Sequence, residues 1–341
     1  MKLKLTTLLF SLALLVVTGC REFYEYLDSV EPNPLKVKEY ATKLNNPIGL
    51  ALDAEQQLWV TEIGTGKGDG KVSVFKSDGK KYVVINGFPS FFGPGGPEEI
   101  VGLNHLLVKD GKVYILHTNG ILYIADISSY KIGSTPLKAQ SLQKQNIGKF
   151  VLNYPFKVKP DESNPYNLTV GPEDNLYITD AGANAVIRRT PAGKLDVFVT
   201  FDDIKNPTKL GPPTIDPVPT SIAFNKQHFY VTTLTGFPFP TGKARIYSVD
   251  LSGKVSIYQE GFTAITDMTF DPTYNPVVVE HGQLGEQGFT PNTGRIVVAA
   301  DNGQAKFGPA LNQPTAIVRS GPLTYYVNSL PDGKIFKVTN E

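Results

Sequence analysis

Apolar and polar residues alternate along most of this chain, and one short strand returns six times. Its copies are Leu58-Trp59-Val60-Thr61-Glu62, Val113-Tyr114-Ile115-Leu116-His117, Leu176-Tyr177-Ile178-Thr179-Asp180, Phe229-Tyr230-Val231-Thr232-Thr233, Val277-Val278-Val279-Glu280-His281 and Tyr325-Tyr326-Val327-Asn328-Ser329. Counted between second positions, they lie 48 to 63 residues apart. A strand of small and apolar residues precedes each copy, at residues 48–53 and then around Leu106, Leu168, Ile222, Met268 and Ile317. An amphipathic strand follows each, at 71–75, 121–125, 185–190, 244–249, 295–300 and 334–338. Several copies add a glycine turn and a fourth strand, as in Ser252-Gly253-Lys254-Val255-Ser256-Ile257-Tyr258. Period-2 alternation bounded by turn residues is how a half-buried strand reads in sequence.

Four strands per unit, repeated near every fifty residues, predict an all-β fold: a six-bladed β-propeller of four-stranded blades. Sandwiches and barrels rarely repeat so regularly. The last unit reaches only its third strand before Glu341. Residues 37–44, ahead of the first blade, are expected to supply its outer strand and close the ring, which covers the exposed edges.

The repeat also sorts the connections. Turns between first and second strands are short and generic, as in Lys109-Asp110-Gly111-Lys112 and Pro172-Glu173-Asp174-Asn175. The opposite face carries long loops at 64–70, 93–99, 180–184, 206–219, 234–243 and 280–294. Function tends to sit on loops held by a rigid scaffold, which favours that face. Aligned blade by blade, the innermost strands place Gly49, His105, Asn167, Ser221, Asp267 and Ala316 around the central channel. Four polar groups converging on an axis can hold a divalent cation such as Ca²⁺, with Asn167 and Asp267 as ligands, or a polar ligand. The alternative is a water-filled channel with hydrated polar walls.

Composition agrees with strands and turns: 32 glycines, 26 prolines, 16 tyrosines, 19 phenylalanines and only two methionines. The formal charge is +1 with no basic block, which argues against a nucleic-acid partner. Lys2 and Lys4 precede an uncharged run from Leu5 to Val17, then Thr18-Gly19-Cys20. A basic start, a short apolar run and small residues before the cut describe a secretory signal, shorter than a usual membrane span. Val17-Thr18-Gly19-Cys20 looks like a bacterial lipobox, and Cys20 is the sole cysteine. The expected organisation is a lipoprotein signal over 1–19, a lipidated tether over 20–36 and the propeller over 37–341. The product is a monomer anchored by lipid in the bacterial cell envelope, in the periplasm or on the cell surface, and packing rather than disulfides holds its fold.

Other chemistry is sparse. The four histidines, His105, His117, His228 and His281, show no zinc-like spacing, and Gly-x-Ser-x-Gly is absent. The glycines of 64–70 lie between two strands with no helix to follow, so a hairpin loop is expected there rather than a phosphate loop. Glu280-His281 could form an acid–base pair on the long-loop face, or simply begin a solvated loop. In Thr235-Gly236-Phe237-Pro238-Phe239-Pro240, proline stiffens a loop carrying two phenyl rings, Phe237 and Phe239. They either plug a seam between blades or offer a docking surface.

The loop residues also carry a family resemblance. Asp180-Ala181-Gly182-Ala183-Asn184-Ala185, Val218-Pro219-Thr220-Ser221, the stretch from Leu234 to Gly242 with Ala244-Arg245-Ile246-Tyr247, and Gly261-Phe262-Thr263 ahead of Asp267 resemble the ScyD/ScyE family over residues 40–340. The resemblance implies an exported protein related to NHL-type propellers. In the second unit this chain reads Gly102-Leu103-Asn104-His105 where the family pattern has Gly-Pro-His-Asp. The leading expectation is a binding or scaffold module holding a small molecule or protein on the long-loop face, with Asp180, Asn184, Phe237, Phe239, Glu280 and His281 as candidates. The rival is a metal-dependent lactone or ester hydrolase similar to the SMP-30/gluconolactonase propellers, in which Asn167 and Asp267 hold the cation and Glu62 or His105 assists.

Overall fold

The computed structural model describes residues 36–93, 96–300 and 303–339. The expected signal, Cys20 and nearly all of the expected tether lie outside those residues. Six small, mainly antiparallel sheets follow one another along the chain, and the first five run from an innermost to an outermost strand in sequence order. The innermost strands are Pro47–Leu52, Leu103–Lys109, Pro165–Val170, Pro219–Phe224, Ile265–Phe270 and Ile317–Gly321. Each lies beside the next, and the last beside the first, so the sheets form the blades of a six-bladed propeller.

The alternation in sequence becomes packing between blades. Side chains from facing sheets form six buried clusters, one at each seam. Trp59, Val74 and Val113 meet between blades 1 and 2, while Leu58, Val60, Ala316 and Ile335 meet between blades 6 and 1. Hydrophobic burial is thus spread around a ring rather than gathered in one centre.

Ring closure follows the expected plan. Lys36–Ala41 pairs antiparallel with Lys334–Thr339, opposing Lys36 to Thr339 and Lys38 to Lys337. The outermost strand of blade 6 therefore comes from the start of the propeller. Blade 1 gains a short fifth strand, Leu137–Lys138, which pairs in parallel with its outer strand at Ile85 and Asn86. That segment belongs to the long excursion between the third and fourth strands of blade 2. Together with a helix at Ile147–Asn153, it accounts for the longest spacing in the repeat.

Candidate functional site

Five innermost strands slip register immediately before the axis, between Pro47 and Gly49, Leu103 and Leu106, Pro165 and Asn167, Pro219 and Ile222, and Ile265 and Asp267. A bulge re-aims the next side chain, and here it turns the expected residues together. Asp267 Oδ1 accepts from Ser221 Oγ at 2.7 Å and from Asn167 Nδ2 at 2.8 Å. Its Oδ2 accepts from the Ile317 amide at 2.9 Å and faces His105 Nδ1 at 3.9 Å. One carboxylate therefore joins blades 3, 4, 5 and 6, with the imidazole of blade 2 beside it. Blade 1 contributes glycine because a Cβ on Gly49 would meet His105 Cα at 2.7 Å and Thr61 Oγ1 at 2.8 Å.

Burial pushes the Asp267 carboxyl above the usual carboxylate range, opposed by His105 and its hydrogen-bond donors. Burial likewise lowers His105, against the pull of Asp267, so the ring is neutral at pH 7. The buried Nε2 of His105 has no protein partner. Tyr166, whose ring centre lies 4.9 Å from that of His105, has its phenol raised by burial and by Asp267.

As arranged, these groups do not fit a divalent cation. Both oxygens of Asp267 already accept from N–H or O–H groups. Asn167 turns its nitrogen toward the carboxylate, because its oxygen accepts from the Leu168 amide at 2.7 Å. Asn167, Ser221 and Asp267 are each less than 10 % exposed, and they bond one another directly instead of lining the channel with hydrated groups. Among the described residues, no cluster of three or more His, Cys, Asp or Glu side chains could hold a metal.

A ring of clips surrounds this knot. The residue before the axial position reaches a backbone oxygen of the next blade: Asn104 to Pro165, Thr220 to Ile265, Thr266 to Pro314 and Thr315 to Ile48. Blades 1 and 3 have Ile48 and Tyr166 there. In those blades a threonine of the second strand substitutes, Thr61 reaching Asn104 O and Thr179 reaching Thr220 O. Each seam near the axis thereby gains a buried hydrogen bond, worth about 0.5–1.5 kcal/mol.

At the ends of the second strands, several sequence candidates prove to be clasps. Glu62 is fully buried in blade 1, where it accepts from the Asn45 amide and Ser73 Oγ and pairs with Lys71 and Lys81. It does not join the knot at the axis. Asp180 is also fully buried, accepting from Ser163 Oγ and the amides of Asn164 and Ala183. Glu280 accepts from the Thr263 amide at 2.7 Å. In blades 1, 3 and 5 a carboxylate thus holds the segment that leads into its own blade. His281 neither pairs with Glu280 nor faces solvent. Its Nδ1 lies 3.1 Å from Pro314 O, its ring stands edge-on to Phe289, and burial lowers its pKa to about 4.

The long-loop face is rigid and apolar at its tips. The Asn184 amide clamps the segment before blade 4, donating to Asp216 and accepting from Val218 N. The buried Asn206 amide donates to Leu210 O and Pro212 O and accepts from Thr208, which builds a loop tipped by Leu210. Val218 and Thr235, both β-branched, hold φ of +52° and +79°. Such strain persists only where surroundings enforce it, and it concentrates at functional loops. Phe239 packs against Phe289 of the next blade at 5.4 Å between ring centres, while Phe237 is 57 % exposed. One ring plugs a seam and the other projects. Eleven large hydrophobic side chains are exposed among the described residues. Seven of them, Phe91, Phe92, Leu152, Tyr154, Val158, Leu210 and Phe237, sit on this face.

Sequence reasoning missed the clips and the hairpin Phe91–Gly93 with Gly96–Val101. A Thr or Asn immediately before the axial position was the available signal for the clips. The glycine loop is a hairpin loop as expected, tied by Ser90 to Gly66 and Gly68.

No family model matches the chain, and no curated protein matches its sequence. Solved structures define the class as six-bladed β-propellers. The PQQ-bound aldose sugar dehydrogenase of Streptomyces coelicolor is similar at a TM-score of 0.58 and 14% identity, over 90% of this chain and 99% of that one. A gluconolactonase of Xanthomonas campestris is similar at 0.57 and 12%, over 91% and 92%. A virginiamycin B lyase of Staphylococcus aureus is similar at 0.51 and 15%, over 89% and 98%. At such identities the likeness is one of fold.

Proposed function

We propose that this protein is an exported, lipid-anchored propeller of ScyD/ScyE type, a monomeric binding or scaffold module that takes a small molecule or a protein on its long-loop face. The observation that carries this reading is the placement of seven exposed apolar side chains on that face, one of them, Leu210, on a loop held by the buried Asn206 amide. A face that carries most of the large apolar side chains exposed among the described residues is a candidate interaction surface. Meanwhile Asn167, Ser221 and Asp267 bond one another at the axis, which gives the knot a structural task. Phe237→Asp and Leu210→Asp should abolish capture of a ligand or partner from the cell envelope by the purified protein without lowering its melting temperature. Undiminished capture by both variants overturns the reading.

The metal-dependent lactone or ester hydrolase remains the second reading, favoured by the unpartnered Nε2 of His105 beside Asp267. It requires Asn167 to turn its oxygen to the axis and Asp267 to surrender its donors. Under this reading, added Ca²⁺ raises the melting temperature of the native chain but not of Asn167→Ala or Asp267→Ala. An unchanged melting temperature in the native chain removes it.

A further inference from the structure

The strand that closes the ring also fixes where the preceding chain departs. Lys36 opposes Thr339, so it lies at the end of blade 6 where the turns between first and second strands are found. The long loops are at the other end of every blade. Lys36 lies sixteen positions after Cys20. A chain of that length reaches on the order of 55 Å fully extended and about 22 Å as a flexible coil. Crossing a layer of six-residue strands uses about 20 Å before any loop is cleared.

A second observation concerns the same end. Of the exposed hydrophobic side chains, Leu251, Tyr274 and Leu323 stand at turn tips of three successive blades, 4, 5 and 6. Blade 6 is the one that receives Lys36. Lys254 lies in the same turn as Leu251, and Lys226 lies in the other turn of blade 4 at this end. The acidic neighbours are occupied within their own turns: Asp250 accepts from Ser252 and the Lys254 amide, and Asp271 from Thr273 and Asn275. Tyrosine and leucine tips suit the interface of a bilayer.

We infer that the turn face of blades 4–6 rests on the bilayer, with Leu251, Tyr274 and Leu323 entering the headgroup layer. The inference rests on lipidation of Cys20, and it directs the long-loop face away from the anchoring membrane, toward soluble partners. The test uses the full lipidated chain in phosphatidylethanolamine/phosphatidylglycerol vesicles containing a brominated phospholipid. The native tryptophan, Trp59, is 1 % exposed and supplies a constant background. Tyr274→Trp should be quenched roughly twofold and shifted to the blue, as interfacial aromatics are, and Leu323→Trp should repeat the result if the first variant folds poorly. Phe237→Trp on the other face should be unaffected. Adding Leu251→Asp and Leu323→Asp should weaken quenching at position 274. Vesicle-bound chain with no quenching at 274 and 323, or equal quenching at 237, overturns this inference and leaves the anchor standing. A chain that carries no lipid and stays out of the vesicles overturns both.

Discussion

At the scale of single residues, Asp267 has the most connections of any side chain at the axis, because it alone accepts from three blades other than its own. Truncation leaves those donors unpaired in a closed site, and each unsatisfied group costs about 1–3 kcal/mol. Asp267→Ala should therefore lose about 3–5 kcal/mol in urea unfolding, allowing for partial rearrangement, whereas Asp267→Asn should lose less. Equal stability of the native chain and Asp267→Ala would remove the knot from the account. His281 gives a sign that can be checked. Its pKa near 4 in the folded protein lies below the unfolded value near 6.5, so the unfolded chain binds the extra proton between those limits. Stability from His281 is present above about pH 6.5 and drains away toward pH 4, by about 3 kcal/mol in all. Buried Asp180 and Asp267, with raised pKa, contribute in the opposite sense. The comparison is therefore made with His281→Gln, which should flatten the decline measured by denaturation at pH 7, 5.5 and 4.5.

At the scale of strands, the closing contact joins the two ends of the propeller, and its register gives a direct test. A disulfide between Lys38→Cys and Lys337→Cys, made in a Cys20→Ser background, links opposed residues of the same ladder. It should raise the unfolding free energy by about 3–5 kcal/mol, given a closed loop of this length. A reduced chain and an oxidised chain of equal stability would mean that this strand pairing is not part of the cooperative fold. Strand positions were legible in the sequence because burial between blades imposes a period of two, as in Leu176-Tyr177-Ile178. The axial set was legible too, since equal places in the repeat become equal places around the ring. What stayed hidden was direction. Glu62, Asp180 and Glu280 end their strands with carboxylates that look free, yet each is claimed by the backbone of an incoming segment some seventeen residues earlier. Likewise, nothing in the spacing of Asn167, Ser221 and Asp267 distinguishes a cage open to a cation from a knot that has closed on itself. Hydrogen-bond partners decide that, and they depend on the bulges.

At the scale of the whole molecule, the propeller has two unlike ends. One carries short turns, the chain's exit at Lys36 and three apolar tips; the other carries the long loops and seven exposed apolar side chains. Cohesion comes from the six seams and the axial clips, which leaves the loops free to vary in what they hold. The most direct test of that division places a photoreactive p-benzoylphenylalanine at position 237 on the loop face and, separately, at 274 on the turn face, in the lipidated chain in its own envelope. The account predicts one discrete adduct from position 237, lost when Leu210→Asp is added, and no such adduct from 274. No adduct from 237, or the same adduct from both ends, would contradict it.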